Sequence, residues 1–466
     1  MDAQRQKKRS GDSQPQPTWA AGAEGEARSE PAARAEASVS ASPDESPTNP
    51  EGVIQEVLKP ENLREALRKV CANKGSPGVD GLTVQALPDY LKEHWPGIRQ
   101  QLLLGTYRPQ PVKRVEIPKP DGGVRKLGIP TVLDRFIQQA ALQVLTRRWD
   151  ATFSSSSFGF RPGRSCHQAV IRAQEHIIAG GTWVVDIDLE KFFDRVNHDK
   201  LMGRIRKRET DQALLKLIRS YLTAGVLEGG VVSATEEGTP QGGPLSPLLS
   251  NLVLDELDQE LERRGHAFVR YADDCNIYVK SQAAGHRVMA SVSSFIEREL
   301  KLKVNASKSA VARPDQRKFL GFSFTRGKAP KRRIAPKALD RFKLKIRELT
   351  WRRAGRSFGQ LLPELRTYLR GWRGYFGFCQ TPSVLKDLDS WLRRRLRSVA
   401  WSQWRTCGRR YAELRRRGVR EDLAGKLAGS QRGPWHSSRT PAISYALPNA
   451  LWDRLGVPRL APAKAV

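Results

Sequence analysis

Apolar positions along the chain change spacing several times, and each change predicts an element. Val57, Leu63, Leu67 and Val70 recur at helical intervals, predicting a helix over 53–72 that ends in the turn-rich run Asn73-Lys74-Gly75-Ser76-Pro77-Gly78. Residues 82–105 read as a second helical region. Lys113 to Ile129 is a basic stretch broken at Asp121-Gly122-Gly123, which predicts a β-hairpin. Leu133, Phe136, Ile137, Ala140, Ala141, Val144 and Leu145 then share one face of an amphipathic helix. In the centre, strand and helix alternate. Thr182 to Asp188 predicts a buried strand ending in carboxylates, and His266 to Tyr271 and Cys275 to Val279 predict two strands joined by a tight turn over Ala272-Asp273-Asp274. A helix near 284–300 and a strand over Leu320 to Phe324 follow. From about 335 the pattern is helical and basic: Val384, Leu385, Leu388, Trp391, Leu392, Leu396 and Val399 form a stripe, with Arg393, Arg394, Arg395 and Arg397 mostly outside it. Residues 1–50, rich in Ala, Ser, Pro, Glu and Gln, cannot offset chain entropy by burial and are expected to be disordered.

Charge narrows the function. The 466 residues carry 80 Lys+Arg against 49 Asp+Glu, a net +31. By count, residues 1–50 hold roughly −2, 51–325 roughly +8 and 326–466 roughly +25. Genome-wide arginine enrichment would not leave the front two-thirds nearly balanced, so the excess points to a polyanionic partner, nucleic acid above all. The 5 cysteines are scattered without a CxxC pair, which argues against a zinc module and a disulfide framework and fits a reducing compartment. No apolar run of ~18 residues and no secretory-type N-terminus occur, so a cytoplasmic protein without membrane contact is expected. A GxxxxGK[ST] loop is absent too, which removes the main support for a motor or kinase.

The chemistry centres on carboxylates. Asp188 ends an apolar strand, and Asp273-Asp274 sits in a hairpin turn. Taken alone, an Asp-Asp pair is usually only a turn. Carboxylates at buried strand ends are costly unless paired or bound to a cation, and three of them within ~4 Å repel strongly. Two Mg²⁺ ions would reverse that sign and clamp the oxygens of a phosphoryl displacement.

The surrounding motifs are specific. In chain order stand Phe158-Gly159-Phe160-Arg161-Pro162-Gly163-Arg164, Asp186-Ile187-Asp188-Leu189-Glu190-Lys191-Phe192-Phe193-Asp194, Thr239-Pro240-Gln241-Gly242-Gly243-Pro244-Leu245-Ser246-Pro247-Leu248-Leu249 and Tyr271-Ala272-Asp273-Asp274. These resemble the reverse-transcriptase blocks of group II intron-encoded proteins. Lys303-Val304-Asn305-Ala306-Ser307-Lys308 and Phe319-Leu320-Gly321-Phe322 look like the next two blocks, and Leu369-Arg370-Gly371-Trp372-Arg373-Gly374-Tyr375-Phe376 resembles the maturase (thumb) domain. Beyond residue 400 only His436 and Cys407 could serve an HNH nuclease, so the compact class C type is expected.

That resemblance implies an α+β right-hand polymerase fold with fingers, a palm built on an antiparallel sheet and a helical thumb. It implies an RNA-directed DNA polymerase that copies intron RNA by two-metal nucleotidyl transfer and, as a maturase, assists splicing and retrohoming. Asp188, Asp273 and Asp274 would be the catalytic Mg²⁺ ligands, with Asp186 the competitor of Asp188. Lys119, Arg125, Phe193, Gln241 and Lys308 would bind the nucleotide: Phe193 beneath the sugar, Gln241 lining the pocket, Lys119 and Arg125 on the triphosphate, Lys308 donating a proton to pyrophosphate. Arg370, Arg373, Arg393, Arg394, Arg395 and Arg397 would bind RNA or DNA. Partners would be the intron RNA, an RNA template with DNA primer, dNTPs and target DNA, with a second copy of the chain as a further candidate. The expected domains are an extension over 1–50, N-terminal extension and fingers over 51–180, palm over 181–328, thumb over 329–425 and a basic tail over 426–466. Two other readings compete: a relative domesticated for repair or defence, and a non-catalytic splicing cofactor.

Overall fold

The computed structural model describes residues 52–118, 123–228, 230–234, 237–239, 242–351 and 355–461. They form two units, one running to Leu339 and one beginning at Asp340. Ten strands occur in chain order among the described residues: β1 Val112–Pro118, β2 Val124–Ile129, β3 Trp183–Ile187, β4 Val226–Glu228, β5 Val231–Ser233, β6 Ala267–Tyr271, β7 Asp274–Val279, β8 Ala310–Ala312, β9 Phe322–Phe324 and β10 Arg332–Ile334. No helix among the described residues is long and apolar enough to cross a membrane.

The central sheet of the first unit has the order β6-β7-β3-β8, antiparallel throughout. Its strands form because β-branched and aromatic residues fill both faces: Val184, Val185, Ile187, Phe268, Val269 and Ile277 are all buried. The helix Gln282–Phe295 packs so closely on this sheet that a Cβ at Gly285 would lie 2.5 Å from Val311 Cγ1. A second sheet, β2-β1-β4-β5, contains the predicted basic hairpin plus an unforeseen one, with β1 and β4 parallel. β9 and β10 pair with each other, which attaches 329–339 to this unit instead of to the thumb as expected.

Near the start, the helix expected over 53–72 is two helices, Val53–Val57 and Pro60–Ala72. Pro60 explains the break. Its ring disfavours helical geometry in Lys59, which is extended at φ −61°, ψ 138°, and Pro60 itself opens the second helix. The predicted disorder of 1–50 falls outside the described residues, as do Asp121 and Gly122 of the basic hairpin.

The second unit is helical. Phe342 gathers Trp372 at a ring separation of 4.4 Å, Tyr368 at 6.0 Å and Trp391 at 6.5 Å, making an aromatic core. The expected basic tail is folded into it. Helices Pro434–Ser437, Pro441–Ala446 and Asn449–Arg454 bury Ile443 and Trp452, so 426–461 is part of this unit's core.

Candidate active site

Strand register brings the aspartates together. Ile187 of β3 lies opposite Cys275 of β7. The next rung outward therefore carries Asp188 beside Asp274. Tyr271 pairs with Asp274, so Asp273 occupies the two-residue connection between β6 and β7. All three stand at one end of the central sheet.

The backbone at Asp188 is fixed by the block at 303–309. Its N–H donates to Ser309 Oγ at 3.0 Å, and its carbonyl accepts from the Asn305 N–H at 2.8 Å. Lys308 Nζ lies 4.0 Å from Asp188 Oδ2. Asp186, the competitor, is engaged elsewhere: Arg317 donates to its Oδ2 through Nε at 2.8 Å and Nη2 at 2.5 Å. Burial raises the Asp186 carboxyl, and Arg317 opposes that rise.

Electrostatics at this edge fits a cation. Burial, then Asp188, raises the Asp273 carboxyl, with its own backbone hydrogen bond and Arg125 pulling the other way. Asp274 keeps a solvent-facing side, yet burial and then the charges of Asp273, Asp186 and Asp188 push it up to about 7. Such a field disfavours a third negative charge and favours a positive ion among them. Among the described residues no group of three His, Cys, Asp or Glu side chains stands placed to share one ion.

What holds the hairpin is a residue the motif reading passed over. Arg270 is fully buried and forks onto Asp258, with Nε–Oδ1 at 2.7 Å and Nη2–Oδ2 at 2.5 Å. Its remaining donors reach Asn251 Oδ1 at 3.0 Å, Ser157 Oγ at 2.8 Å and the Ala272 carbonyl at 2.9 Å, inside the turn itself. The signal was available in the sequence: a charged residue inside the apolar strand Ala267-Phe268-Val269-Arg270-Tyr271 must find a buried partner.

The nucleotide-side residues divide. Phe192 is buried and Phe193 half-buried, their rings 5.2 Å apart. They lie on one turn of 3₁₀ helix, Phe192–Asp194. The Phe193 carbonyl accepts from the Thr239 N–H at 2.6 Å, joining this turn to the Thr239-Pro240-Gln241 motif. A Cβ at Gly242 would lie 2.4 Å from the Gly128 carbonyl, so that glycine serves close packing on β2. Arg125 is exposed on β2. Lys119 and Gln241 fall outside the described residues.

In the second unit the expected RNA-binding ridge is largely internal. Arg393 is 4% exposed and paired with Asp389 and Asp453 at 3.1 and 2.8 Å. Arg394 donates to the Trp435 carbonyl and stacks 4.0 Å over that ring, Arg395 donates to Thr350 Oγ1, and Arg397 donates to the Leu447 carbonyl and Asn449 Oδ1. These four hold the segments around their helix, Arg395 the chain before it and the other three the chain that follows. Arg370 and Arg373 remain exposed.

Residues 117–324 match the reverse transcriptase (RNA-dependent DNA polymerase) family, and residues 339–418 match the group II intron maturase-specific domain. Protein YkfC of Escherichia coli (strain K12) is 34% identical over 308 residues, 57% of this chain and 81% of YkfC. The group II intron-encoded protein LtrA of Lactococcus lactis subsp. cremoris is 38% identical over 204 residues, 44% of this chain and 34% of LtrA, so the matched stretch spans about a third of that relative. Among solved structures, a partial Cas6-RT-Cas1–Cas2 complex aligns at 29% identity and a TM-score of 0.35, covering 54% of this chain and 43% of that one. With a reverse transcriptase domain followed by a maturase-specific domain, the chain belongs to the group II intron reverse transcriptase family.

Proposed function

We propose that this chain copies RNA into DNA at the sheet edge where Asp188, Asp273 and Asp274 meet, and that intron RNA is both its template and the RNA whose splicing it assists. The observation that carries this reading is the strand register that sets Asp188, Asp273 and Asp274 at one edge of the central sheet, where burial and neighbouring negative charge raise the Asp273 and Asp274 carboxyls. Asp188, Asp273 and Asp274 would hold two Mg²⁺ ions, which supply positive charge to the attacking and leaving oxygens of an in-line displacement. In that displacement the primer 3′-oxygen bonds to the α-phosphorus of a dNTP, the bond to the β-phosphate bridging oxygen breaks, and pyrophosphate leaves. The 4.0 Å approach of Lys308 to Asp188 supports a role for Lys308 in protonating pyrophosphate. The pull of Arg125 on Asp273 supports a triphosphate contact on β2. Lys119 and Gln241 rest on the family resemblance alone. Exposed Arg370 and Arg373 support phosphate binding by the maturase unit.

Primer extension tests this. The purified chain with an RNA template, a DNA primer, dNTPs and Mg²⁺ should produce cDNA, lose that activity in EDTA and recover it when Mg²⁺ is restored. Retained RNA binding with no extension would favour the non-catalytic splicing cofactor.

A further inference from the structure

Phe160 is the one exposed phenylalanine among the described residues, at 51% exposure, and its backbone lies in the left-handed region at φ 59°. A bulky side chain rarely adopts that conformation, and such residues persist where the surroundings dictate them. Here they do so from both sides. Before it, the Phe158 N–H donates to the Arg270 carbonyl at 2.9 Å, and Asn251 Nδ2 donates to the Gly159 carbonyl at 2.8 Å. A Cβ at Gly159 would lie 2.2 Å from the Ala272 nitrogen, so the loop sits directly on the catalytic hairpin. After it, the buried Arg161 guanidinium donates to Asp150 Oδ1 at 2.8 Å and to the carbonyls of Ser154, Ser157 and Asp150 at 2.6, 3.0 and 2.6 Å.

A glycine would make this turn without strain. Instead the position carries a ring, held out toward solvent one residue from the hairpin that bears Asp273. The following residues Pro162 and Gly163 are exposed and add no large apolar surface. A lone ring is too small for a protein-docking patch but sufficient to cover one nucleobase.

We propose that Phe160 is a stacking platform for a nucleobase of the primer–template duplex, positioning it beside the catalytic hairpin. This rests on the polymerase reading above. The base belongs to the primer 3′ end or to the template nucleotide paired with it, and both offer the same π-face.

The test combines thermal melting, fluorescence-anisotropy binding of a labelled RNA–DNA duplex without dNTP, and single-nucleotide incorporation. Phe160→Gly removes the ring and the backbone strain together. It should melt no lower than wild type yet bind the duplex about 5- to 100-fold more weakly, the loss appearing in the duplex KM. Phe160→Trp should keep duplex affinity within about threefold, because indole also stacks. Duplexes lacking the primer-terminal base or the opposing template base identify the source: the advantage of wild type over Phe160→Gly should vanish on one of them. Unchanged binding by Phe160→Gly overturns the proposal, as does an advantage surviving on both abasic duplexes. Equal weakness of Phe160→Trp and Phe160→Gly overturns it too, and points to loop shape or a protein partner. Wild-type binding without Mg²⁺-dependent incorporation would instead sink the polymerase reading while leaving the stacking result legible.

Discussion

Phe193 follows Asp188 by five positions on a 3₁₀ turn that leaves its ring half-open, whereas the neighbouring Phe192 is buried in the core. A ring beside the sugar of a bound nucleotide leaves room for hydrogen at C2′ and clashes with a hydroxyl, which discriminates without any hydrogen bond. Phe193→Val should therefore raise relative ribonucleotide use by roughly 10- to 200-fold in matched dNTP and rNTP incorporation. Phe192→Val should leave sugar choice alone and lower unfolding free energy by about 1–3 kcal/mol through the cavity it opens. The reverse pattern would shift the motif by one residue. At this scale the sequence was informative about which residues matter and less so about how they sit. After Asp188, Lys191 takes φ 49° and turns the chain, a local conformation that non-glycine sequence does not advertise.

The hairpin β6–β7 depends on Arg270 as an element depends on its fastening. Its guanidinium ties β6 to the helix Ser246–Arg263 through Asp258 and Asn251, and to the turn through the Ala272 carbonyl. Lysine keeps the charge but lacks the planar fork, so Arg270→Lys leaves buried acceptors unpaired. We expect it to cost about 2–4 kcal/mol in denaturant unfolding and to depress kcat of single-nucleotide incorporation more than the dNTP KM. Loss of stability with kcat intact would make Arg270 a structural residue only. The strands around it were readable from alternation and buried runs. The hairpin β4–β5 was not: its strands are three residues each, and Val231 and Val232 are exposed, so neither length nor burial marks them. The helix split at Pro60 was readable in principle, since the proline was in view and the helical spacing outweighed it.

For the whole molecule, the division at Leu339 and Asp340 separates a catalytic unit from a basic helical one. The portion from Asp340 onward carries roughly +19 by count of its Lys, Arg, Asp and Glu. Much of that arginine is committed internally, as Arg393 shows, so charge read from sequence overstates what is offered to RNA. Periodicity placed Arg393, Arg394, Arg395 and Arg397 off the apolar stripe, but it could not reveal that the chain after 430 returns to pair with Arg393, Arg394 and Arg397, or that Arg395 reaches back to Thr350. A protein ending at Leu339 should still melt cooperatively but bind the RNA–DNA duplex at least about tenfold more weakly, with a shallower dependence of affinity on salt. Unchanged affinity and salt slope would assign the helical unit a structural role.

Which strand-end carboxylate carries catalysis is decided by comparing Asp188→Asn with Asp186→Asn in single-turnover dNTP incorporation on an RNA template. Asp188 shares an edge with Asp273 and Asp274, while Asp186 is bound to Arg317. Asp188→Asn should lower the rate by at least about 1,000-fold, and Asp186→Asn should stay within about tenfold of wild type. A rate near wild type for Asp188→Asn, with Asp186→Asn inactive yet folded, would contradict the assignment of the catalytic centre.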